Sequence, residues 1–336
     1  MGNRTRKIIT FASGALVGYA GVAALDTSPA EAPTTRSMTS TLAPLCEDLD
    51  SWDCRGERLL DVERRVSDLE LLGPLTPTQT PTQTPTQSQS PSPAASFPNA
   101  STTGVPAGTT LTGSFANLTV STPGAVIVGR NLGCVNVTAA NVTIRDSRIR
   151  CGRTTPSVYN QAGAGANLLV VDSEIDMLGS GYSGIGFGGY TARRVDISGG
   201  EDGAKAETNT TIADSYIHHL RRPAAVAHGD CVQTSKGAHI RIVRNNLQAY
   251  NPATDDLMNA AWQATDTFGP VSDAVFADNL VNGGNYTVNV DVTGPGSFTG
   301  NAFGADHRYG AVNAMRGLAF SGNVWHESGG PVTAAD

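Results

Sequence analysis

Residues 144–149, Ile144-Arg145-Asp146-Ser147-Arg148-Ile149, contain the pattern that decides the fold. Apolar and polar residues alternate on both sides of a short polar corner, which is the spacing of strands that bury one face. The pattern returns at residues 170–175, 212–217, 242–247 and 275–280, and weaker copies end at Ile197, Phe303 and Val324. Eight copies identify an internal repeat, which is typical of a repeat architecture.

The spacing of the copies predicts the kind of repeat. The closing residues, from Ile149 through Leu280 to Val324, are 26, 22, 20, 30, 33, 23 and 21 positions apart, with a mean of 25. This period is too short for a propeller blade, and the period-2 alternation excludes a helical repeat. From about Phe97 onward we therefore predict an all-β, right-handed parallel β-helix of about 8–10 coils.

Each coil of such a solenoid has about three short strands, hydrogen-bonded to the next coil at ~4.8 Å. Inward aliphatic side chains such as Ile144, Val170, Ile212 and Ile242 are expected to stack into one long core, and the Asn and Ser at the corners to form ladders. Charged residues make up 16% of the chain, aromatic residues 6%, and 38 residues are Gly. This composition also favours turn-rich β structure over helical bundles.

The charge balance argues against a nucleic-acid partner. The chain carries a formal charge of -7, and residues 97–336 contain 15 Lys and Arg against 19 Asp and Glu. No basic stripe of the kind that binds nucleic acid is present in the sequence.

Residues 1–32 read as a secretory signal peptide. A cluster of Arg4, Arg6 and Lys7 precedes an apolar run from Ile8 to Leu25, and residues 30–32 (Ala-Glu-Ala) fit a cleavage site. An uncleaved membrane anchor is the alternative, because an apolar stretch of ~18 residues can just span a bilayer. We expect the protein to be secreted or displayed at the cell surface.

Two further segments precede the repeats. Residues 33–75 form an acidic neck whose stripe at 59–69 (Leu59, Val62, Val66 and Leu69) predicts a short amphipathic helix or, alternatively, a self-associating coiled coil and hence a homo-oligomer. Residues 76–96 are rich in Pro, Thr, Gln and Ser and cannot bury a core, so they are interpreted as an extended linker. Residues 97–336 are the β-helix domain.

The cysteines provide an independent check on the repeat. Cys134 follows Leu132 by two residues, as Cys151 follows Ile149, so the two occupy equivalent positions in successive coils. Stacked positions lie within the Cα separation of a disulfide, and we predict a Cys134–Cys151 bond. Cys46 and Cys54 can pair within the neck, and Cys231 is then left as a small buried side chain.

Function is expected in the two longest coils, residues 217–247 and 247–280, because residues beyond the minimum coil leave as loops. Asp202-Gly203-Ala204-Lys205 and Asp230-Cys231-Val232-Gln233 look like one strand in successive coils. Their alignment predicts an outward polar column of Lys205, Gln233, Gln263, Asn289 and Asn313.

The same alignment stacks Asp202 on Asp230. Two carboxylates ~5 Å apart share a proton, bind a cation such as Ca²⁺, or perform acid/base work, whereas an Asp ladder that caps turns is the structural alternative. Lys205 can act as a base, neutralise an acidic sugar, or be a solvated member of the column. His228 lies two residues before Asp230 and suits general acid/base catalysis, with a structural role on a turn as the alternative.

The remaining candidates are expected to contact substrate. Arg221 and His219 lie in the first long coil, and Gln233 and Gln263 lie in the polar column. Trp262 and Tyr286, on neighbouring coils, can form a stacking platform for sugar rings, although plain packing is the alternative for both and a structural role the alternative for His219.

These motifs resemble the secreted β-helix proteins of the pectate-lyase-like superfamily. The likeness covers roughly residues 105–330 and rests on the repeat, on residues 201–205 (Glu-Asp-Gly-Ala-Lys) and on residues 228–233 (His-Gly-Asp-Cys-Val-Gln). The catalytic motifs of polygalacturonases, the calcium cluster of pectate lyases and the Asp-Pro-His motif of alginate epimerases are not found at matching positions. The resemblance thus implies the fold and a carbohydrate context but leaves the reaction open.

We therefore expect an exported protein that binds a polysaccharide or cell-wall glycan and cleaves or modifies it by lyase or hydrolase chemistry. The expected catalytic residues are Lys205, His228, Asp230 and Asp202, with no certain cofactor. The alternative is a non-catalytic surface or adhesive β-helix that binds glycans or protein partners.

Overall fold

The structure is a computed structural model and describes residues 96–222 and 228–334. The alternating stretches form β-strands throughout these residues. This part of the chain contains no helix, and hence none long and apolar enough to cross a membrane. The predicted signal peptide, the neck with its 59–69 stripe, the Cys46–Cys54 pair and nearly all of the linker lie outside the described residues.

In chain order the strands are β1 (Leu118–Val120), β2 (Val126–Val128), β3 (Asn131–Leu132), β4 (Val135–Val137), β5 (Thr143–Arg145), β6 (Arg148–Arg150), β7 (Val158–Asn160), β8 (Leu168–Val171), β9 (Glu174–Gly186), β10 (Tyr190–Arg193), β11 (Asp196–Lys205) and β12 (Thr210–Ala213). They continue with β13 (Tyr216–His218), β14 (Asp230–Thr234), β15 (Gly237–Val243), β16 (Asn246–Asn251), β17 (Asp256–Leu257), β18 (Ala260–Thr265), β19 (Val271–Ala277), β20 (Leu280–Gly283), β21 (Tyr286–Thr299), β22 (Ala302–Phe303), β23 (Gly310–Ser321) and β24 (Val324–Trp325).

Parallel pairing arranges these strands in three stacks. The first stack contains β2, β5, β8, β10, β12, β15, β19 and the last parts of β21 and β23. The second contains β3, β6, the first parts of β9 and β11, then β13, β16, β20, β22 and β24. The third contains β1, β4, β7, the last parts of β9 and β11, then β14, β18 and the first parts of β21 and β23.

Each stack therefore has nine segments within the described residues, one for each coil. A long sheet of parallel strands, with three segments per repeat, is consistent with a parallel β-helix. The number of segments falls within the predicted range of coils.

The register corrects two of the predicted closing residues. Leu247 pairs with Val281 and Phe303 pairs with Trp325, so Leu280 and Val324 each lie one residue too early. The closing residue follows the buried corner residue by two positions, since successive side chains of a strand point to opposite faces. From Leu247 to Val281 the coil spans 34 residues, and part of this length forms an antiparallel β16–β17 pair.

The corners between the first and second stacks explain why the sequence repeats there. All nine begin with a residue at positive φ, a conformation that Gly and Asp adopt at low cost, and these are Gly129, Asp146, Asp172, Arg194, Asp214, Arg244, Asp278, Gly300 and Gly322. A buried Ser or Asn follows in every case except Arg130 and Val195. We call these side chains the Ser/Asn ladder: Ser147, Ser173, Ser215, Asn245, Asn279, Asn301 and Asn323.

The hydrogen bonds of the Ser/Asn ladder run from coil to coil, as predicted. Asn279 Oδ1 accepts from the backbone N–H of Asn245 at 2.9 Å, and Asn279 Nδ2 donates to Asn301 Oδ1 at 3.0 Å. Buried polar atoms are thereby satisfied at each step, which removes the cost of burying them.

The core lies between the stacks. The predicted inward residues Ile144, Val170, Ile212 and Ile242 are fully buried. In the later coils the same positions hold Phe276, Phe298 and Phe320, whose rings stack at centroid separations of 4.8 and 5.3 Å.

Cys134 and Cys151 form the predicted disulfide, with their Cα atoms 5.0 Å apart. Since disulfides persist in oxidising compartments, this bond suggests an extracellular environment. Cys231 is free and buried, as expected for a small apolar side chain.

Residues 97–112 cross the coils from the last to the first. The Phe97 ring packs on His326 at 5.6 Å, the Pro98 carbonyl accepts from Asn246 Nδ2 at 2.8 Å, and the Gly104 N–H donates to the Arg194 carbonyl at 2.9 Å. Thr112 then forms a bridge with Arg130 beside the first coil. We call residues 97–112 the entry segment.

Candidate functional site

The predicted polar column is present on the third stack. Lys205 pairs with Gln233, Gln233 with Gln263, and Gln263 with Asn289. Asn313 completes it, because its Nδ2 donates to Asn289 Oδ1 at 3.1 Å. We call its neutral members the amide column: Gln233, Gln263, Asn289 and Asn313.

Asp202 and Asp230 lie next to each other at one end of this column. Asp202 Oδ1 accepts from the backbone N–H of Asp230 at 2.9 Å, and Asp202 Oδ2 accepts from the Lys205 ammonium. The Lys205 ammonium also donates to Gln233 Oε1. The structure thus joins three of the predicted catalytic residues, Asp202, Lys205 and Asp230, which we call the Lys205 centre.

Two glycines make room for this arrangement. A Cβ at Gly203 would lie 2.3 Å from Ile217 Cγ2 and 2.5 Å from the Cys231 carbonyl, so only glycine fits between Asp202 and the next coil. A Cβ at Gly186 would lie 3.1 Å from Lys205 Cβ. The Asp-Gly sequence thus serves a close approach of two coils and not an exposed turn.

The carboxylates are buried more deeply than the sequence indicated. Asp202 is 1% exposed and Asp230 is fully buried. Asp230 accepts from Asn259 Nδ2 at 2.8 Å and from Gln233 Nε2 at 3.3 Å. A ligand on the surface would meet Lys205 and Gln233 before it met either carboxylate.

Burial controls the charge of the Lys205 centre. It raises the pKa of Asp202 to about 6, against the opposing effect of Lys205, and it raises the pKa of Asp230 well above its ordinary value, with repulsion from Asp202 as an additional cause. Burial alone would lower the pKa of Lys205, but the Asp202 carboxylate outweighs it and the pKa rises. Both carboxyl shifts favour the protonated, neutral form, whereas the shift of Lys205 favours its charged ammonium.

This charge state changes the expected role of Lys205. A general base must be deprotonated at the working pH. Since the Lys205 ammonium is stabilised, the side chain suits hydrogen-bond donation and charge stabilisation, and not the role of base.

Aromatic rings that the sequence did not single out surround the centre. The Lys205 ammonium lies 4.6 Å from the centroid of the Tyr182 ring. Tyr182, Phe187 and Phe268 line a shallow depression of about 40 Å³ beside Lys205, together with Glu207, Gln233 and Ser235. Phe268 is 74% exposed, so the face of its ring is accessible to a ligand.

The prediction that Trp262 contacts substrate is wrong. It was expected to stack on sugar rings, but it is 1% exposed and packs on Phe276 inside the core at a centroid separation of 4.6 Å. Gln263 faces outward, so the residue before it on the same strand must face inward. Trp262 therefore has no free face for a ligand.

The other predicted residues lie apart from the Lys205 centre or do not touch it. His228 is exposed, and among the described residues it has no hydrogen bond. Arg221 lies against Gly179, with its guanidinium 3.1 Å from where a Cβ would be. Tyr286 packs on the exposed Tyr309, at 5.7 Å between ring centroids.

His219 belongs to a different cluster on the second stack. Its ring contacts His218, whose Nε2 lies 2.9 Å from Asp196 Oδ1. Burial and the neighbouring His218 lower the pKa of His219. This cluster shares no contact with Lys205 among the described residues.

The Lys205 centre does not fit a bound Ca²⁺. The lysine ammonium occupies the position beside Asp202 Oδ2 where a cation would bind, and Asn259 and Gln233 donate to Asp230. Across residues 96–222 and 228–334, no group of three or more His, Cys, Asp or Glu side chains is placed to hold a metal ion.

No protein-family model matches the chain, and no curated protein is similar to it in sequence.

Proposed function

We propose that the chain is an exported right-handed parallel β-helix of the pectate-lyase-like kind, which binds an extended polysaccharide across the third stack and cleaves it at the Lys205 centre by hydrolase or lyase chemistry. One observation carries this proposal. A buried pair of carboxyl groups with raised pKa values lies under a lysine at the edge of an aromatic-lined depression.

Two coupled carboxyl groups in different protonation states are the usual requirement for acid/base work at neutral pH. In the proposed mechanism Asp230 holds the transferable proton, ionised Asp202 holds the Lys205 ammonium in place, and Lys205 stabilises negative charge on a reacting oxygen. His228, exposed two residues before Asp230, exchanges protons with water. Perturbed carboxyl groups in a cleft are functional-site candidates on general grounds.

The surface beside the centre supports a glycan ligand. The amide column offers hydrogen-bonding groups in a line along the sheet, and the rings of Tyr182, Phe187 and Phe268 offer apolar faces for the C–H faces of sugars. A depression of about 40 Å³ is also too small to enclose a small molecule, since such sites usually have volumes of ~300 Å³ or more, whereas a polymer that lies along the sheet needs no enclosure.

A second candidate is a non-catalytic glycan-binding β-helix. The burial of Asp202 and Asp230 favours it, since neither carboxylate is exposed to a ligand in this conformation. Under this reading the amide column and the aromatic rings bind, and the Lys205 centre only holds two coils together.

Activity assays on matched variants separate the two candidates. Purified protein is incubated with neutral and acidic polysaccharides, and new reducing ends and the ultraviolet absorbance of unsaturated uronates are measured. Asp230→Asn is expected to lower the rate by about 10²-fold or more while glycan binding persists. Asp176→Asn, which removes a carboxylate paired with Arg150 on the second stack, is the matched control and should keep full activity.

Binding without any product would favour the second candidate. Product formation that survives both Asp230→Asn and Lys205→Met would show that the Lys205 centre is not the catalytic site.

A further inference from the structure

The charge of the proposed binding surface bears on the class of glycan that it takes. The outward column of the third stack runs through nine coils: Thr119, Asn136, Tyr159, Gly186, Lys205, Gln233, Gln263, Asn289 and Asn313. Lys205 is the one charged residue among these nine. A polymer laid along the column would therefore meet amides, hydroxyls and one ring.

The charge of Lys205 is already neutralised. Its ammonium is paired with Asp202, bonded to Gln233 Oε1 and placed over the Tyr182 ring, and its side chain is only 7% exposed. A carboxylate on a ligand would have to compete with Asp202, which belongs to the fold and is nearly fully buried. Lys205 is thus poorly placed to bind an acidic sugar.

Two cations that flank the column are also paired with carboxylates. Lys236 lies 3.5 Å from Glu207, and Arg316 is paired with Asp291. Arg153 and Arg308, in the loops of the same stack, are bonded to neutral oxygens and lie outside the column itself. Arg153 donates to the Pro156 carbonyl at 2.8 Å, and Arg308 donates to Asn285 Oδ1 at 2.7 Å.

A polyuronate has one carboxylate on every sugar and needs unpaired cations along its path, as acidic polymers generally do. Cleavage of a polyuronate by elimination needs a further unpaired cation at the cleavage site. The C–H proton next to the sugar carboxylate becomes acidic only when the charge of that carboxylate is neutralised. Neutral sugars instead need hydrogen-bonding groups and flat apolar faces. Within the described residues Gln263 Oε1 accepts from Asn259 and Asn289, but its Nε2 has no partner and is available to a ligand.

We infer that the ligand of the third stack is an uncharged polysaccharide and not a polyuronate. The inference rests on the proposed glycan-binding function and narrows it. It also selects hydrolysis over elimination as the chemistry of the Lys205 centre.

Affinity electrophoresis of the full-length chain tests this inference. Gels contain a neutral β-1,4-glucan, a xylan or a mannan, or else polygalacturonate or alginate. At least one neutral polymer is expected to retard the protein, with a dissociation constant about tenfold or more below that for either polyuronate. Tighter binding to a polyuronate would overturn the inference and leave the proposed function standing, whereas binding to none of them would overturn both.

Two variants test the physical reason. Asp202→Asn releases the Lys205 ammonium and should increase affinity for polygalacturonate by about threefold, the size of one exposed ion pair. Asp176→Asn releases Arg150 on the second stack and should leave that affinity unchanged. Gln263→Lys adds a cation to the column at a half-buried position, so it gives the same readout if Asp202→Asn folds poorly, and no gain in either would contradict the charge argument.

Discussion

The Ser/Asn ladder and the Lys205 centre both stack buried polar side chains from one coil to the next, but they differ in whether those side chains can ionise. Asn245, Asn279 and Asn301 are neutral, fully buried and bonded to one another along successive coils. Asp202 and Asp230 are equally buried and equally stacked, but they carry ionisable groups with raised pKa values. Burying a charge costs stability that a neutral amide does not cost. The ladder therefore joins the coils at a lower cost in stability than the Lys205 centre does, and the proposed function is one reason for a protein to bear that cost.

The largest expected effect lies in the ladder. Asn279→Ala removes the acceptor of the Asn245 N–H and the donor to Asn301, which leaves buried polar groups without partners. We expect the free energy of unfolding to fall by about 3 kcal/mol, measured by denaturant titration. The matched variant Asn313→Ala removes an exposed amide of the column and should change it by less than about 0.5 kcal/mol. Equal losses of unfolding free energy in the two variants would contradict the idea that the ladder stabilises the fold more than the amide column does.

The next effect concerns pH. The pKa of Asp230 is raised in the folded protein, so its contribution to stability is fully present below the ordinary carboxyl pKa of about 4 and is lost as pH rises through the folded-state pKa. Asp230→Asn cannot ionise and lacks this loss. Relative to the wild type, the variant should therefore become steadily more stable as the pH rises from 4 to 8.

Thermal or denaturant unfolding across this pH range measures that gain. Asn245→Gln provides a comparison in the ladder, where a neutral change should shift stability equally at all pH values. A parallel pH profile for Asp230→Asn and the wild type would show that Asp230 is not perturbed.

The smallest expected effect concerns Phe268, at the depression beside Lys205. Phe268→Ala should weaken glycan binding by about 1 kcal/mol, roughly fivefold, without changing the melting temperature, because its ring is exposed and packs on little. Val126→Ala, at another exposed apolar residue in the first coil, should leave binding unchanged. Calorimetric titration with the retarding polymer is the measurement, and equal affinities for wild type and Phe268→Ala would remove the ring from the site.

The parts of the fold that repeat were predictable from sequence. The period placed Cys134 beside Cys151 and put Lys205, Gln233, Gln263 and Asn289 in one register, since a regular coil copies each position onto the next. The same logic explains the Ser/Asn corners. The alignment of the repeats placed the closing residues Leu280 and Val324 one residue too early, because it did not use the buried Asn of each corner to set the register.

The parts of the molecule that do not repeat could not be predicted from the sequence. Phe268 lies in a turn between β18 and β19, and Tyr182 lies in the long, glycine-rich strand β9, so no repeat copy indicated their position. The burial of Asp202 depends on Gly203, whose sequence context is also that of an exposed turn. Trp262 could have been placed correctly, because alternation with the outward Gln263 requires it to face the core.

The entry segment sets an order of events during folding. Phe97 rests against His326, and Pro98 accepts a hydrogen bond from Asn246 across 148 positions of sequence. Contacts of such separation form only after the intervening chain is ordered, because closing a long loop costs entropy before it yields contacts. Residues 97–104 are therefore synthesised before every coil but dock in stages. Gly104 can dock once Arg194 is in place, Pro98 once Asn246 is, and Phe97 only after His326, so a chain truncated before His326 cannot complete this segment.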